Sequence, residues 1–239
     1  MSDTMPLVEL RHVSKTYRNH VEVRALRDVT LALEAGSFAA VVGPSGSGKS
    51  TLLHLLGALD QPDEGQIKIA GIDLTTTPSD GLAEFRLRRI GFVFQAFNLL
   101  PVLSVMENLE FVPALQGSPR TKRQSRAREL LESVGMADLA DKRPNELSGG
   151  QQQRAAVLRA IMTEPAIVLA DEPTANLDSA NASILLDLME RMNREKNITF
   201  LFSTHDPQVM ERAQRLIRLR DGVVVGDQTI ATSPGRADT

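Results

Sequence analysis

The sequence predicts an α/β fold in which a parallel sheet carries an N-terminal antiparallel β lobe and an inserted helical lobe, and three observations predict it. Near the start, apolar and polar residues alternate at Leu7-Val8-Glu9-Leu10, Val21-Glu22-Val23 and Leu31-Ala32-Leu33-Glu34 before Gly36 breaks the pattern. Short antiparallel strands with one solvated face read this way. Later segments are apolar throughout, at Phe38–Val42, Gly91–Phe94, Ile167–Ala170 and Thr199–Phe202, as strands buried on both faces of a parallel sheet are. Between Phe94 and Ile167 the apolar spacing turns helical.

In chain order, the strand at Phe38–Val42 leads into a glycine-rich turn and a buried helix, Thr51-Leu52-Leu53-His54-Leu55-Leu56. In the inserted region Ala127, Leu130, Leu131 and Val134 fall at i, i+3, i+4 and i+7, with Gly135 placed as a C-terminal stop. A further helix should start at Ser148 and run through Ala156 and Leu158; another should follow Asp178 through Ile184, Leu188 and Met192. The expected organisation is a single domain over residues 1–228, with the β lobe at 7–36 and about 65–72 and the helical lobe at about 96–160. Apolar periodicity is lost after Asp227, so 229–239 reads as a mobile tail.

Composition narrows the function. The chain has 239 residues and 42% hydrophobic content, enough for one large core but short for two independent enzymatic domains. Its 27 Lys+Arg against 30 Asp+Glu give a formal charge of −3, so there is no global positive field to gather nucleic acid or an anionic membrane, and any such binding must be local. The absence of cysteine excludes a disulfide framework, an iron–sulfur cluster, a thiolate zinc site and cysteine catalysis, and fits a reducing compartment. Met1 to Pro6 lacks the charged-then-apolar pattern of a signal peptide, and no run approaches the roughly 20 apolar residues that span a bilayer. Work at a membrane would require another chain to supply the membrane part.

Gly43-Pro44-Ser45-Gly46-Ser47-Gly48-Lys49-Ser50 fits G-x-x-x-x-G-K-[ST] between a buried strand and a helix. At background residue usage such a match arises by chance on the order of once in a hundred chains of this length. The glycines let backbone N–H groups turn inward around phosphates, the helix that includes Thr51 adds its positive end, and Lys49 adds a mobile charge toward the outer phosphates. The Ser50 hydroxyl is placed for Mg²⁺. A second buried strand ends at Asp171, followed by Glu172; Asp171 would hold the metal directly or through water, and Glu172 would act as general base or only position the attacking water.

At Leu147-Ser148-Gly149-Gly150-Gln151 the sequence resembles the signature motif of ABC-type ATPases. Read physically, Ser148 is an N-cap and the glycine pair permits close backbone approach, which makes an anion site with no strand attached. The chain's own phosphate loop is served from within, so this second site fits the nucleotide of another subunit. The resemblance extends from about Leu7 to Asp227 and implies a P-loop NTPase (RecA-like) core, the ABC ATPase fold, with ATP and Mg²⁺ as cofactors and a head-to-tail homodimer as the working unit. It further implies that Tyr17 stacks on adenine, that Gln95 touches Mg²⁺ and water and senses the membrane partner, and that His205 contacts the γ-phosphate. Asn176-Leu177-Asp178 would cross the dimer interface, and Asp178 can also cap the following helix. An exposed strand-end tyrosine is the weaker alternative for Tyr17. His12, His20 and His54 have no comparable setting.

Within the superfamily, Leu53-His54-Leu55-Leu56-Gly57-Ala58-Leu59-Asp60, Ile90–Pro101 and Ala170–Asp178 resemble the LolD/MacB type, which powers lipoprotein release and macrolide or peptide export. Leu158, where alanine is usual, and the aromatic-rich Phe200-Leu201-Phe202-Ser203 depart from it. The resemblance implies a cytoplasmic ATPase subunit held peripherally at the inner membrane through a permease. ABC-type proteins that act on DNA or ribosomes are the competing class. Their best support here is the basic stretch Arg120, Lys122, Arg123, Arg126, Arg128, which reads as a solvated helix face because bases at a helix start oppose its dipole. A P-loop kinase leaves the signature motif without a role.

Overall fold

The computed structural model describes residues 5–18 and 22–230. Strands β1 (Val8–Arg18), β2 (Glu22–Leu33), β4 (Glu64–Ile69) and β5 (Ile72–Asp73) form an antiparallel four-stranded sheet in the order β2-β1-β4-β5. The second sheet has six strands: β3 (Phe38–Val42), β6 (Ile90–Val93), β7 (Ile167–Asp171), β8 (Thr199–Thr204), β9 (Arg215–Arg220) and β10 (Val223–Thr229), ordered β10-β9-β3-β8-β7-β6. β3 lies between β8 and β9, parallel to both, and β6 to β8 continue the parallel run. Only the edge strand β10 is antiparallel to its neighbour.

The apolar strands are buried because the six-stranded sheet is covered on both faces. Along β3, Ala39 and Val41 face a core shared with Leu169, Leu201 and the helix α1 (Lys49–Leu56), which also takes in the apolar side of the antiparallel sheet. Phe38, Ala40 and Val42 face the other core with Phe200 and Phe202, and Phe38 meets Phe202 at 4.7 Å between ring centroids. The remaining helices are α2 (Ser79–Arg89), α3 (Val105–Leu115), α4 (Arg120–Ser133), α5 (Gly149–Ile161), α6 (Ser179–Lys196) and α7 (Pro207–Arg212).

In the inserted region α4 buries Ala127, Leu130 and Leu131 as their spacing requires; it ends at Ser133, and Gly135 turns the chain in the left-handed region at φ 66°. The strand expected at Gly91–Phe94 is Ile90–Val93, because Phe94 already lies past the register with β7, which ends at Val93 and Ala170. β10 runs to Thr229 and so takes the first residue of the expected tail into the sheet; residues 231–239, like His20 and Val21, lie outside the described residues. Within the basic stretch, Arg123 pairs with Glu110 at 3.3 Å and Arg126 with Glu129 at 2.9 Å and Glu164 at 3.3 Å, which neutralises part of that face. His12 is exposed beside Asp28 at 2.7 Å, and His54 is exposed on α1.

Candidate functional site

In the turn between β3 and α1, Gly43 and Gly48 face backbone from distant segments, the carbonyls of Leu219 and Ala25. Gly48 caps α1 at φ 105°, and a Cβ there would come within 2.4 Å of the Ala25 carbonyl; any side chain would be both strained and obstructed. From behind, the β9–β10 turn holds the loop: the Gly222 N–H donates to the Ser47 carbonyl at 3.0 Å, and the Gly222 carbonyl accepts from the Arg27 N–H at 2.8 Å. Lys49 is buried, its Nζ donating to the carbonyls of Gly43 at 2.8 Å and Pro44 at 3.1 Å.

A cavity of about 650 Å³ opens over this loop. Gly43, Pro44, Ser45, Gly46, Gly48, Lys49, Ser50 and Thr51 line it, and so do Tyr17, Gln95, Glu172 and His205, brought in from the ends of β1, β6, β7 and β8. Ser47 does not line it; its hydroxyl is buried without a partner beneath the loop. Val23, Ala25, Ala175 and Ser203 also line the cavity and had no signal in the sequence beyond ordinary strand or turn residues.

The side of the cavity that carries Glu172 and His205 is held by the end of β8. Glu172 sits in the left-handed region at φ 45°, anchored by its N–H to the Ser203 carbonyl at 2.8 Å. Its carboxylate accepts from the Thr204 hydroxyl at 3.3 Å and meets His205 Nδ1 at 2.8 Å. The Glu172 side chain is largely buried at 16% exposure, whereas that of His205 is 76% exposed. Below them, Asp206 accepts from Thr174 at 2.5 Å and from the Gln208 N–H at 2.9 Å, which fixes the turn that carries the imidazole.

Ser50 Oγ stands 3.3 Å from Asp171 Oδ1, a hydroxyl and a carboxylate of the oxygen type that suits a hard divalent cation. Among the described residues no three His, Asp or Glu side chains gather as a metal cage, so a cation here fits only with phosphates and water completing its shell. The buried, unpartnered Ser203 hydroxyl lies in register beside Asp171 and is a polar group available to that shell.

The signature residues stand apart from this cavity: Ser148, Gly149, Gly150 and Gln151 do not line it. Ser148 caps α5, accepting from the Gln151 N–H at 3.3 Å while Gln151 Oε1 accepts from the Ser148 N–H at 2.8 Å, so the Gln151 side chain is spent on the cap. Gly150 lies close against α6, where a Cβ would approach Asn181 Oδ1 within 2.6 Å and force that side chain to shift. Asp178 caps α6 through the Asn181 N–H at 2.9 Å and also accepts from its side-chain amide at 2.8 Å; that backbone N–H, with the amide, holds its carboxyl below the usual range. Asn176 donates to the Gln95 carbonyl at 2.9 Å, which ties this turn to the cavity wall.

The family described as ABC transporter matches residues 26–175. The macrolide export ATP-binding/permease protein MacB of Nitrosomonas europaea is 43% identical over 235 residues, covering 98% of this chain and 36% of that protein. MacB of Syntrophobacter fumaroxidans is 43% identical over 92% of this chain and 31% of its own length, so the chain spans about a third of these relatives. An ABC transporter ATP-binding protein of Thermotoga maritima, 44% identical, is matched over 92% of this chain and 94% of that protein. Among solved structures, the dimeric post-hydrolysis form of the ATP-binding cassette MJ0796 bound to ADP and Pi has a TM-score of 0.87 and 39% identity over 95% of this chain and 100% of that one. The chain therefore belongs to the ABC transporter family and is an ATP-hydrolysing cassette.

Proposed function

We propose that this cassette drives a membrane transporter of the lipoprotein-release or macrolide-export type by closing as a homodimer around two ATP molecules. The observation that carries the dimer is the separation of the two anion-binding turns: the phosphate loop opens into the cavity, while the Ser148 turn lies outside it. Each composite site would join Lys49 of one protomer to Ser148 and Gly150 of the other, with Asp178 near the seam. Tyr17 would stack on the adenine and the phosphate loop would hold the phosphates. Ser50, Asp171 and Gln95 would hold Mg²⁺, which when bound neutralises charge on the phosphoryl oxygens. Glu172 accepts the proton of the attacking water and His205 orients it from the γ-phosphate side. Positioning and electrostatic stabilisation account for the rest of the rate.

The partner is read from the segment after Gln95. Phe97, Leu99 and Leu100 are half-buried, Pro101 and Val102 are exposed, and Leu99 leans on the helical core. The path of this segment is set from beneath by Asn108, which is fully buried in α3; its amide donates to the carbonyls of Leu100, Leu103 and Ser104, and its Oδ1 accepts from the Leu100 N–H at 2.8 Å. A fixed, partly apolar surface of this kind suits a short helix of a permease subunit, where one apolar anchor contributes roughly 1.5–3 kcal/mol when fully buried. Phe97→Ser and Leu100→Ser are expected to keep the melting temperature and ATP binding of the isolated subunit but to weaken pull-down by the detergent-solubilised permease and remove its stimulation of ATP hydrolysis. Unchanged association would exclude this surface, and a large loss of melting temperature would make the residue part of the core.

A further inference from the structure

Tyr17 is not a loose ring at a strand end. Its phenol O–H donates to Asp60 Oδ2 at 3.0 Å. The same carboxylate accepts from Lys15 Nζ at 2.7 Å and from the Gln61 N–H at 2.7 Å. Lys15 and Tyr17, two apart on β1, point to one side of that strand; the ammonium also donates to the Gln61 carbonyl at 2.7 Å and lies 5.3 Å over the tyrosine ring. The Lys15 side chain is 11% exposed and that of Asp60 32%. Burial raises the Asp60 carboxyl, but the hydrogen bonds from Lys15, Gln61 and Tyr17 outweigh it and hold the group below its ordinary range.

This cluster joins the two sheets' territories at the cavity. Tyr17 belongs to the antiparallel sheet, whereas Asp60 follows α1, whose first turn carries Lys49, Ser50 and Thr51 on the phosphate loop. Desolvating an ion pair brings little net stability, and its best-supported use is to fix one geometry. With Lys15 over the ring and Asp60 on the phenol, the ring orientation is set before any nucleotide arrives.

We infer that Lys15 and Asp60 are positioning residues for nucleotide binding: they hold the Tyr17 ring at a fixed distance and angle from the phosphate loop, so that a purine can stack without first ordering the platform. This rests on the reading of Tyr17 as the adenine platform. Freeing one side chain that must then be reordered on binding corresponds to about a three- to tenfold loss of affinity. The loss should fall on KM and leave kcat within about twofold, because neither residue reaches the phosphate end of the cavity.

The chain has one tyrosine and no tryptophan, so its intrinsic emission reports on Tyr17 alone. A carboxylate hydrogen-bonded to a phenol quenches its emission, and a stacked purine quenches it further. In the full-length protein, Asp60→Asn and the charge-balanced double variant Lys15→Met/Asp60→Asn are expected to emit more strongly before nucleotide is added. Their KM for MgATP should rise about three- to tenfold, and Tyr17→Phe should show the same KM rise. If ATP quenches the wild type and the double variant keeps wild-type emission and KM at an unchanged melting temperature, the positioning role is overturned while stacking survives. If ATP leaves wild-type emission unaltered, the stacking reading itself fails and the positioning role falls with it. Loss of melting temperature in Asp60→Asn that the double variant restores, with the KM rise retained, supports positioning; restoration of KM as well would assign the pair a purely structural role and overturn it.

Discussion

Glu172→Gln is expected to lose on the order of 10² to 10⁴ of its turnover while still binding ATP, because general-base help is worth about that much. Glutamine keeps the size of the side chain but removes the carboxylate proposed as the base. The change should leave the site otherwise intact: the backbone at 172 is held through its N–H to the Ser203 carbonyl, which the substitution does not touch, and an amide can still bond to Thr204 and His205. With hydrolysis blocked and binding retained, a nucleotide-bound dimer should accumulate. Steady-state phosphate release and size-exclusion chromatography with and without ATP check both halves. Near-normal hydrolysis by this variant would take Glu172 out of the role of base, and a monomer at saturating ATP would count against closure as a dimer.

Mixing two inactive variants should restore activity if the Ser148 turn acts across an interface. Lys49→Ala removes the phosphate-loop charge, and Ser148→Arg places a bulky cation where the partner's nucleotide would sit. In a heterodimer of the two, one composite site carries both lesions and the other carries neither. Random association gives heterodimers as about half of all dimers, each with one working site, so an equal mixture should recover about a quarter of wild-type turnover if the sites are independent. Either variant alone should be nearly inactive. Recovery close to zero, with heterodimers verified by differential tags, would remove the independent-site arrangement and leave strict coupling of both sites as its replacement.

The cavity was readable in the sequence where chemistry demands a fixed spacing. Gly43 to Ser50 and the pair Asp171-Glu172 are local in the chain, and the structure brings Lys49, Ser50, Gln95, Glu172 and His205 to one cavity from separate strand ends. What supports them was harder to see. α2 buries only Leu82 and Phe85 in eleven residues, too few to print a helical period. α3 was not among the expected helices although Ser104 and Glu107 form a capping box, a pattern visible at the S-x-x-E level; Pro113 lies inside it, and proline is unfavourable in a helix interior. Asp221-Gly222 is a strong hairpin signal, and its strands alternate only weakly, since β10 is mostly exposed. Lys15 and Asp60 could not have been paired from sequence, because a contact between residues 45 positions apart leaves no local periodicity.

The position of β3 has a consequence for how the chain comes into being. This all-buried strand finds its neighbours in β8 and β9, and the adjoining contact from Gly36 to Thr199 spans 163 residues. During synthesis Phe38 to Val42 therefore emerges long before either partner exists. At about 5–20 residues per second, that interval lasts on the order of ten seconds or more. Over that time five consecutive apolar residues have no sheet to join, and the phosphate loop lacks the Gly222 turn that backs it. The nucleotide cannot template folding of the nascent chain, because its site is among the last features to be completed. Such non-local pairing makes folding slow and leaves intermediates open to aggregation, so the yield of active cassette in a cell should depend on chaperone capacity more than on ATP concentration.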